Sequence, residues 1–148
     1  MNTKIRFAGL AAMLTLAIMA SASPMWGQQL NARKDKTING VQAELRGNFR
    51  VKGGSTRLNS ELDNINIPVG TKVAFCLLQN GVKTLLGVGQ VAMVAGVPTA
   101  VVELNTNDGD TVPTVLAGDV LQARQKKIAP FKTAPNCGSA LLLSAAFQ

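Results

Sequence analysis

The chain has no histidine and no tyrosine, a single tryptophan, two cysteines and eight acidic residues in 148. Without histidine there is no Ser-His-Asp or Cys-His nucleophile system, no His-based zinc site and no commonest general base. Without tyrosine there is no phenolic acid. Cys76 and Cys137 are 61 positions apart, so they form neither a Cys₄ metal site nor a C-x-x-C redox pair. The part expected to fold carries Glu44, Glu61, Asp63, Glu103, Asp108, Asp110 and Asp119, most at outward strand or turn positions. A glycosidase-type carboxylate pair is the one catalytic class left open. No catalytic residue and no cofactor is assigned. Aromatic residues make up only 4% of the chain, which removes the stacking platform of single-strand nucleic-acid binders. No long amphipathic helical period occurs either.

The start of the chain carries an address. Lys4 and Arg6 precede an apolar, uncharged run from Phe7 to Ala20, and Ala20-Ser21-Ala22 supplies small residues at a cleavage site. This predicts a signal peptide over residues 1–22. The competing transmembrane anchor needs about 20 apolar residues, and this run is shorter and meets Pro24. A lipoprotein needs cysteine at the cleavage point, and the first cysteine is Cys76. The expectation is a secreted or periplasmic protein with no transmembrane anchor after cleavage. Loss of Lys4 and Arg6 leaves 13 basic residues against 8 acidic, lowering the formal charge from +7 to +5. That balance favours contact with anionic surfaces, and export argues against a nucleic-acid partner. In an oxidising compartment Cys76 and Cys137 are expected to pair. Their loop of about 60 residues is worth about 4 kcal/mol in the chain-entropy model. Two unpaired thiols or an intermolecular bond compete with this reading.

Residues 23–39 are polar, include Trp26 and show no clean period, and are expected to form a flexible N-terminal segment, with a poorly ordered lead-in strand as the alternative. A single β domain then spans residues 40–148. Val41, Ala43 and Leu45 alternate with polar residues, Gly47 interrupts, and Phe49 and Val51 resume. Gly53-Gly54 is a turn. In the next strand, Thr56 to Ile65, Leu58, Ser60 and Leu62 share one face. Pro68 and Gly70 end it. Lys72–Asn105 is the expected centre, a three-stranded antiparallel meander turning at Asn80-Gly81 and at Ala95-Gly96-Val97-Pro98. Gly87 and Gly89 mark a bend that lets one long strand serve two packed sheets. A nucleotide-cradling loop would need a third glycine and a strand–turn–helix setting. A turn-rich loop (Asn105 to Pro113) leads to a short strand from Val120 to Arg124. Pro130 and Pro135 hold the next stretch extended, and Ser139 to Gln148 forms a final apolar strand. Seven candidate strands predict an all-β, antiparallel sandwich of immunoglobulin-like character. A small closed β-barrel is the alternative. The missing Cys…Trp…Cys arrangement argues against an antibody-type domain.

Ile67-Pro68-Val69-Gly70-Thr71, Asn80-Gly81-Val82, the run Leu104 to Pro113 and Ala117-Gly118-Asp119 together resemble small all-β domains of secreted bacterial proteins of unknown role. The resemblance implies a β fold and a bacterial source, and brings no catalytic residues. The two cysteines and the apolar tail after Cys137 depart from that pattern.

Two surface constellations carry chemistry. Arg46, Arg50, Lys52 and Arg57 alternate along the first two strands as a possible anion-binding stripe, against the plainer reading of a solvated strand face. Asn105, Asn107, Asp108 and Asp110, joined by Asp119, offer hard oxygens for calcium, though the bidentate glutamate of an EF-hand is missing. Asn, Asp and Gly are also ordinary turn residues. The leading functional expectation is a non-catalytic exported binding or structural domain. Its partner is an anionic envelope component or a protein, with strand addition at a sheet edge as one route. The alternatives are a carboxylate-dependent hydrolase and a subunit of a surface assembly whose tail pairs with a neighbour.

Overall fold

Four two-residue turns set the local architecture: Asn39-Gly40, Gly53-Gly54, Asn80-Gly81 and Ala95-Gly96. Every one of these residues has positive φ, between 48° and 82°, as the tight turns that match strand twist require. They join β1 (Gln29–Ile38) to β2 (Val41–Lys52), β2 to β3 (Ser55–Asp63), β4 (Lys72–Gln79) to β5 (Val82–Gln90), and β6 (Ala92–Val94) to β7 (Val97–Asn105). A 3₁₀ turn at Thr106–Asp108 follows, then β8 (Val120–Gln125) and β9 (Ala140–Ala146). The computed structural model describes residues 27–126, 136–138 and 140–148. The expected signal peptide, Trp26, Lys127, Pro130 and Pro135 lie outside the described residues.

The strands form two antiparallel sheets. One has the order β1-β2-β3-β7-β6, the other β5-β4-β8-β9. They pack as a sandwich, and the closed-barrel alternative is not what the chain forms. Alternation explains the packing. Leu45, Phe49, Leu58 and Leu62 face Val73, Phe75, Leu77, Leu121 and Leu143, and all are buried. Phe147 closes one corner. It forms a bridge with Ala32, while the backbones of Asn31 and Gln148 exchange hydrogen bonds of 3.0 and 2.9 Å.

Three expectations are corrected. Lys72–Asn105 is not a meander, because β4 and β5 lie in one sheet while β6 and β7 lie in the other. Splitting the run places Leu86 and Val102 in opposing layers that share one core, whereas a flat meander would leave one apolar face wet. The crossing passes through the buried Val91, so the long strand does serve both sheets. Residues 23–39 are not all flexible, since β1 occupies Gln29–Ile38 and pairs with β2 over ten positions. Its polar composition is that of an edge strand. Lys34 and Lys36 stand opposite the buried Leu45 and Ala43, yet both stay exposed, and such charges protect an edge from further pairing. The described residues hold nine strands rather than seven, because β1 and the short β6 were not legible.

Cys76 and Cys137 are joined by a disulfide with a Cα–Cα separation of 5.9 Å, within the usual range. Phe75 and Leu77 point into the core, so Cys76 lies on the opposite side of β4, fully buried. The bond ties β4 to the segment entering β9 and reaches past β8, which lies between them in the sheet. No helix among the described residues is long and apolar enough to cross a membrane.

Candidate functional site

The outer face of the five-stranded sheet gathers most of the polar side chains singled out in the sequence. Strand register arranges them in rows across the sheet. Gln29, Arg50, Arg57 and Asn105 form one row. Asn31, Asn48, Asn59 and Glu103 form the next. Arg33, Arg46, Glu61 and Val101 follow, then Asp35, Glu44, Asp63 and Thr99. Lys52 and Ser55 oppose each other beyond the first row. Charge therefore changes along the strands, from cationic at the Lys52 end to acidic at the Asp63 end.

The four cations expected as one stripe separate into two groups. Arg46 is neutralised: it pairs with Asp63 and, at 3.2 Å, with Glu44, which also pairs with Arg33 at 2.8 Å. Asp63 is anchored from the other side by the Thr99 hydroxyl, which donates to it at 2.9 Å. Arg46 is thus held between two carboxylates, Glu44 and Asp63, apart from the other three cations. Arg50, Lys52 and Arg57 remain together. With Ser55, Asn105 and Asn107 they line a depression of about 240 Å³. Arg57 pairs with Glu103 at 2.7 Å. Among the described residues, no carboxylate lies within ion-pair distance of Arg50 or Lys52. Arg50 and Arg57 stand directly opposite on neighbouring strands, an arrangement of like charges that costs stability.

Glu61 has its carboxyl pKa raised. Burial is the largest cause, followed by the charge of Asp63. Arg46 partly offsets these, and hydrogen bonding with Asp63 and the charge of Glu44 add to the rise. The two carboxyls stand side by side on β3, on an open sheet face.

Two of the calcium candidates, Asn105 and Asp110, use a side-chain oxygen inside their own loop. The Asn105 side chain accepts from the Asn107 amide at 3.0 Å, and Asp110 accepts from the Asn105 amide at 2.9 Å. Ser55 donates its hydroxyl to Asn105 at 3.4 Å. Asp119 is engaged elsewhere, accepting from the Leu116 amide at 2.7 Å and from Gln79 at 2.6 Å. Among the described residues no group of three or more His, Cys, Asp or Glu side chains is placed to hold a metal ion. Asn105, Asn107, Asp108 and Asp110 thus belong to one hydrogen-bonded turn, with Asn105 and Gly109 as its caps. The structure instead brings Asn105 and Asn107 to the cationic depression.

Sequence reasoning missed Asn31, Asn48 and Asn59, which make one row across three strands. Alternation placed Asn59 outward, but only register puts the three side by side. In comparisons with known proteins, no family model, no curated protein and no solved structure matches the chain.

Proposed function

We propose that this chain is an exported, non-catalytic β-sandwich domain that binds an anionic component of the cell envelope or its surroundings. The binding site is the depression walled by Arg50, Lys52 and Arg57. The observation that carries this reading is the partly compensated charge there: Arg50 faces Arg57 across β2 and β3, Arg57 alone is paired, with Glu103, and neither Arg50 nor Lys52 has a carboxylate partner among the described residues. An anion between them relieves the repulsion and accepts charge-assisted hydrogen bonds. Export is supported by the residue 1–22 pattern and by the disulfide, a bond favoured in oxidising compartments.

The strand order supports an immunoglobulin-like reading. The runs β2-β3-β7-β6 and β5-β4-β8-β9 follow the A-B-E-D and C′-C-F-G order of that fold, with β1 added outside the first strand. The resemblance of Ile67–Asp119 to secreted bacterial β domains accords with this. The hydrolase alternative has its best candidates in Glu61 and Asp63. These stand two residues apart on the same open face of β3, whereas a glycosidase pair faces across a cleft with substrate between its members, so the geometry favours binding over catalysis. The surface-assembly alternative relied on the apolar tail pairing with a neighbour. Leu143, Ala145 and Phe147 are instead buried in the chain's own core, which favours the tail pairing within its own sheet.

The test is isothermal titration of the oxidised protein with sodium glucuronate, a small mono-anion, at low and high salt. Binding is expected at low salt and to weaken as salt rises, since exposed charges are screened. Arg50→Ala with Arg57→Ala should abolish it, while Lys83→Ala on the other sheet should not. Undiminished binding by the double variant would sink the proposal.

A further inference from the structure

The cationic depression does not stand alone. Two residues further along the same face of β2 and β3, a second depression of about 340 Å³ is lined by Asn31, Arg33, Arg46, Asn48 and Asn59, with the backbone of Ala32 and Gly47 as its floor. Residues two apart on one strand face are separated by about 7 Å. Asn48 and Arg50 are therefore neighbours, and the depressions form one track. We infer that the ligand is a hydroxyl-rich glycan bearing one acidic group, the acid seated at Arg50, Lys52 and Arg57 and the neutral sugar body lying over Asn31, Asn48 and Asn59. This rests on the anion-binding reading and deepens it.

Three features of the face carry the inference. First, the asparagine row is only partly satisfied. Asn48 donates to Asn31 at 2.7 Å, while the buried side-chain oxygen of Asn59 has no hydrogen-bond partner. An amide offers donors and an acceptor on one rigid plane. A row of three matches sugar hydroxyls, each of which donates and accepts.

Second, the charge runs out along the track. Beyond the asparagines, Arg33 and Arg46 are engaged by Glu44 and Asp63, and Asp35 stands opposite Glu44. A polymer charged at every unit, such as a nucleic acid, would run its next anions onto these carboxylates, and like charges repel. A molecule acidic at one end meets cation with anion and amide with hydroxyl.

Third, the described part of this face carries no aromatic side chain: Phe49, Phe75 and Phe147 are all buried in the core. Among the described residues, what the face offers a sugar is therefore amide and guanidinium groups that meet its hydroxyl edges.

The experiment uses the ¹⁵N-labelled, oxidised protein and three probes: sodium glucuronate, a panel of neutral oligosaccharides, and the same oligosaccharides carrying one terminal glucuronic acid. The mono-uronylated oligosaccharides should include one binding at least about tenfold tighter than glucuronate, a difference of about 1.4 kcal/mol. That ligand should shift the amides of Asn31, Asn48 and Asn59 together with those of Arg50 and Arg57. Asn48→Ala with Asn59→Ala should reduce its affinity to that of glucuronate while leaving glucuronate binding unchanged. Arg50→Ala should weaken both. If every oligosaccharide binds no better than glucuronate and shifts stay near Arg50 and Arg57, the glycan inference fails and the anion site stands. If neither glucuronate nor any glycan shifts those amides, both readings fail.

Discussion

Gly89 and Gly47 lie under different constraints. A Cβ on Gly89 would stand 2.7 Å from the Val101 carbonyl oxygen, a backbone atom fixed by its sheet. On Gly47 it would meet the ends of Leu121 and Phe147 at 2.8 and 2.9 Å, and side-chain ends yield. Overpacking costs about 1–3 kcal/mol. Gly89→Ala should fall at the top of that range and Gly47→Ala near the bottom, as urea denaturation would measure. The reverse order would contradict the close approach of β5 and β7. Glu61 sets a pH dependence. Its folded pKa is raised, so just above the ordinary glutamate value the folded state binds more protons than the unfolded chain. Stability then falls as pH rises through that window. Glu61→Gln is permanently neutral and should escape this fall, so melting temperatures of parent and variant should diverge as pH rises. Parallel curves would remove Glu61 as the cause.

Among the elements, the β6–β7 hairpin carries the visible strain. Ala95 has φ of 50°, a left-handed conformation that costs an ordinary L-residue about 1–2 kcal/mol and that asparagine tolerates. The equivalent turns use Asn39-Gly40 and Asn80-Gly81. Ala95→Asn should therefore stabilise the fold by about 1 kcal/mol in chemical denaturation, and no gain would mean the strain is relieved locally. The Asn80-Gly81 turn was legible in the sequence because turn chemistry is local, needing only two residues of the right type. The place of the bend was not: the chain crosses between the sheets at the buried Val91. Gly87 and Gly89 both lie inside β5, where the missing side chains make room for Val102 and Val101 of the opposing layer. β1 was missed for a related reason: an edge strand buries little, so its residues show no apolar period.

For the whole molecule, the disulfide is the largest single covalent constraint. Replacing both Cys76 and Cys137 by alanine should cost about 4 kcal/mol, against a net stability of about 5–15 kcal/mol for a domain. Equilibrium unfolding would measure this, and a loss below about 1 kcal/mol would show that the β8–β9 connection is held by other contacts. The sequence by itself determined the β class, the cysteine pair, several turns and the absence of the residues that most enzymes need. These follow from composition and short-range pattern. Tertiary structure alone decided which cations remain available and which are spent on Glu44 and Asp63. It also gathered Asn31, Asn48 and Asn59 into one row and brought Asn105 and Asn107 to the cationic depression. The reason is register: a one-residue slip would send every side chain of a strand to the other face, and no local pattern records which residue on a distant strand will lie opposite.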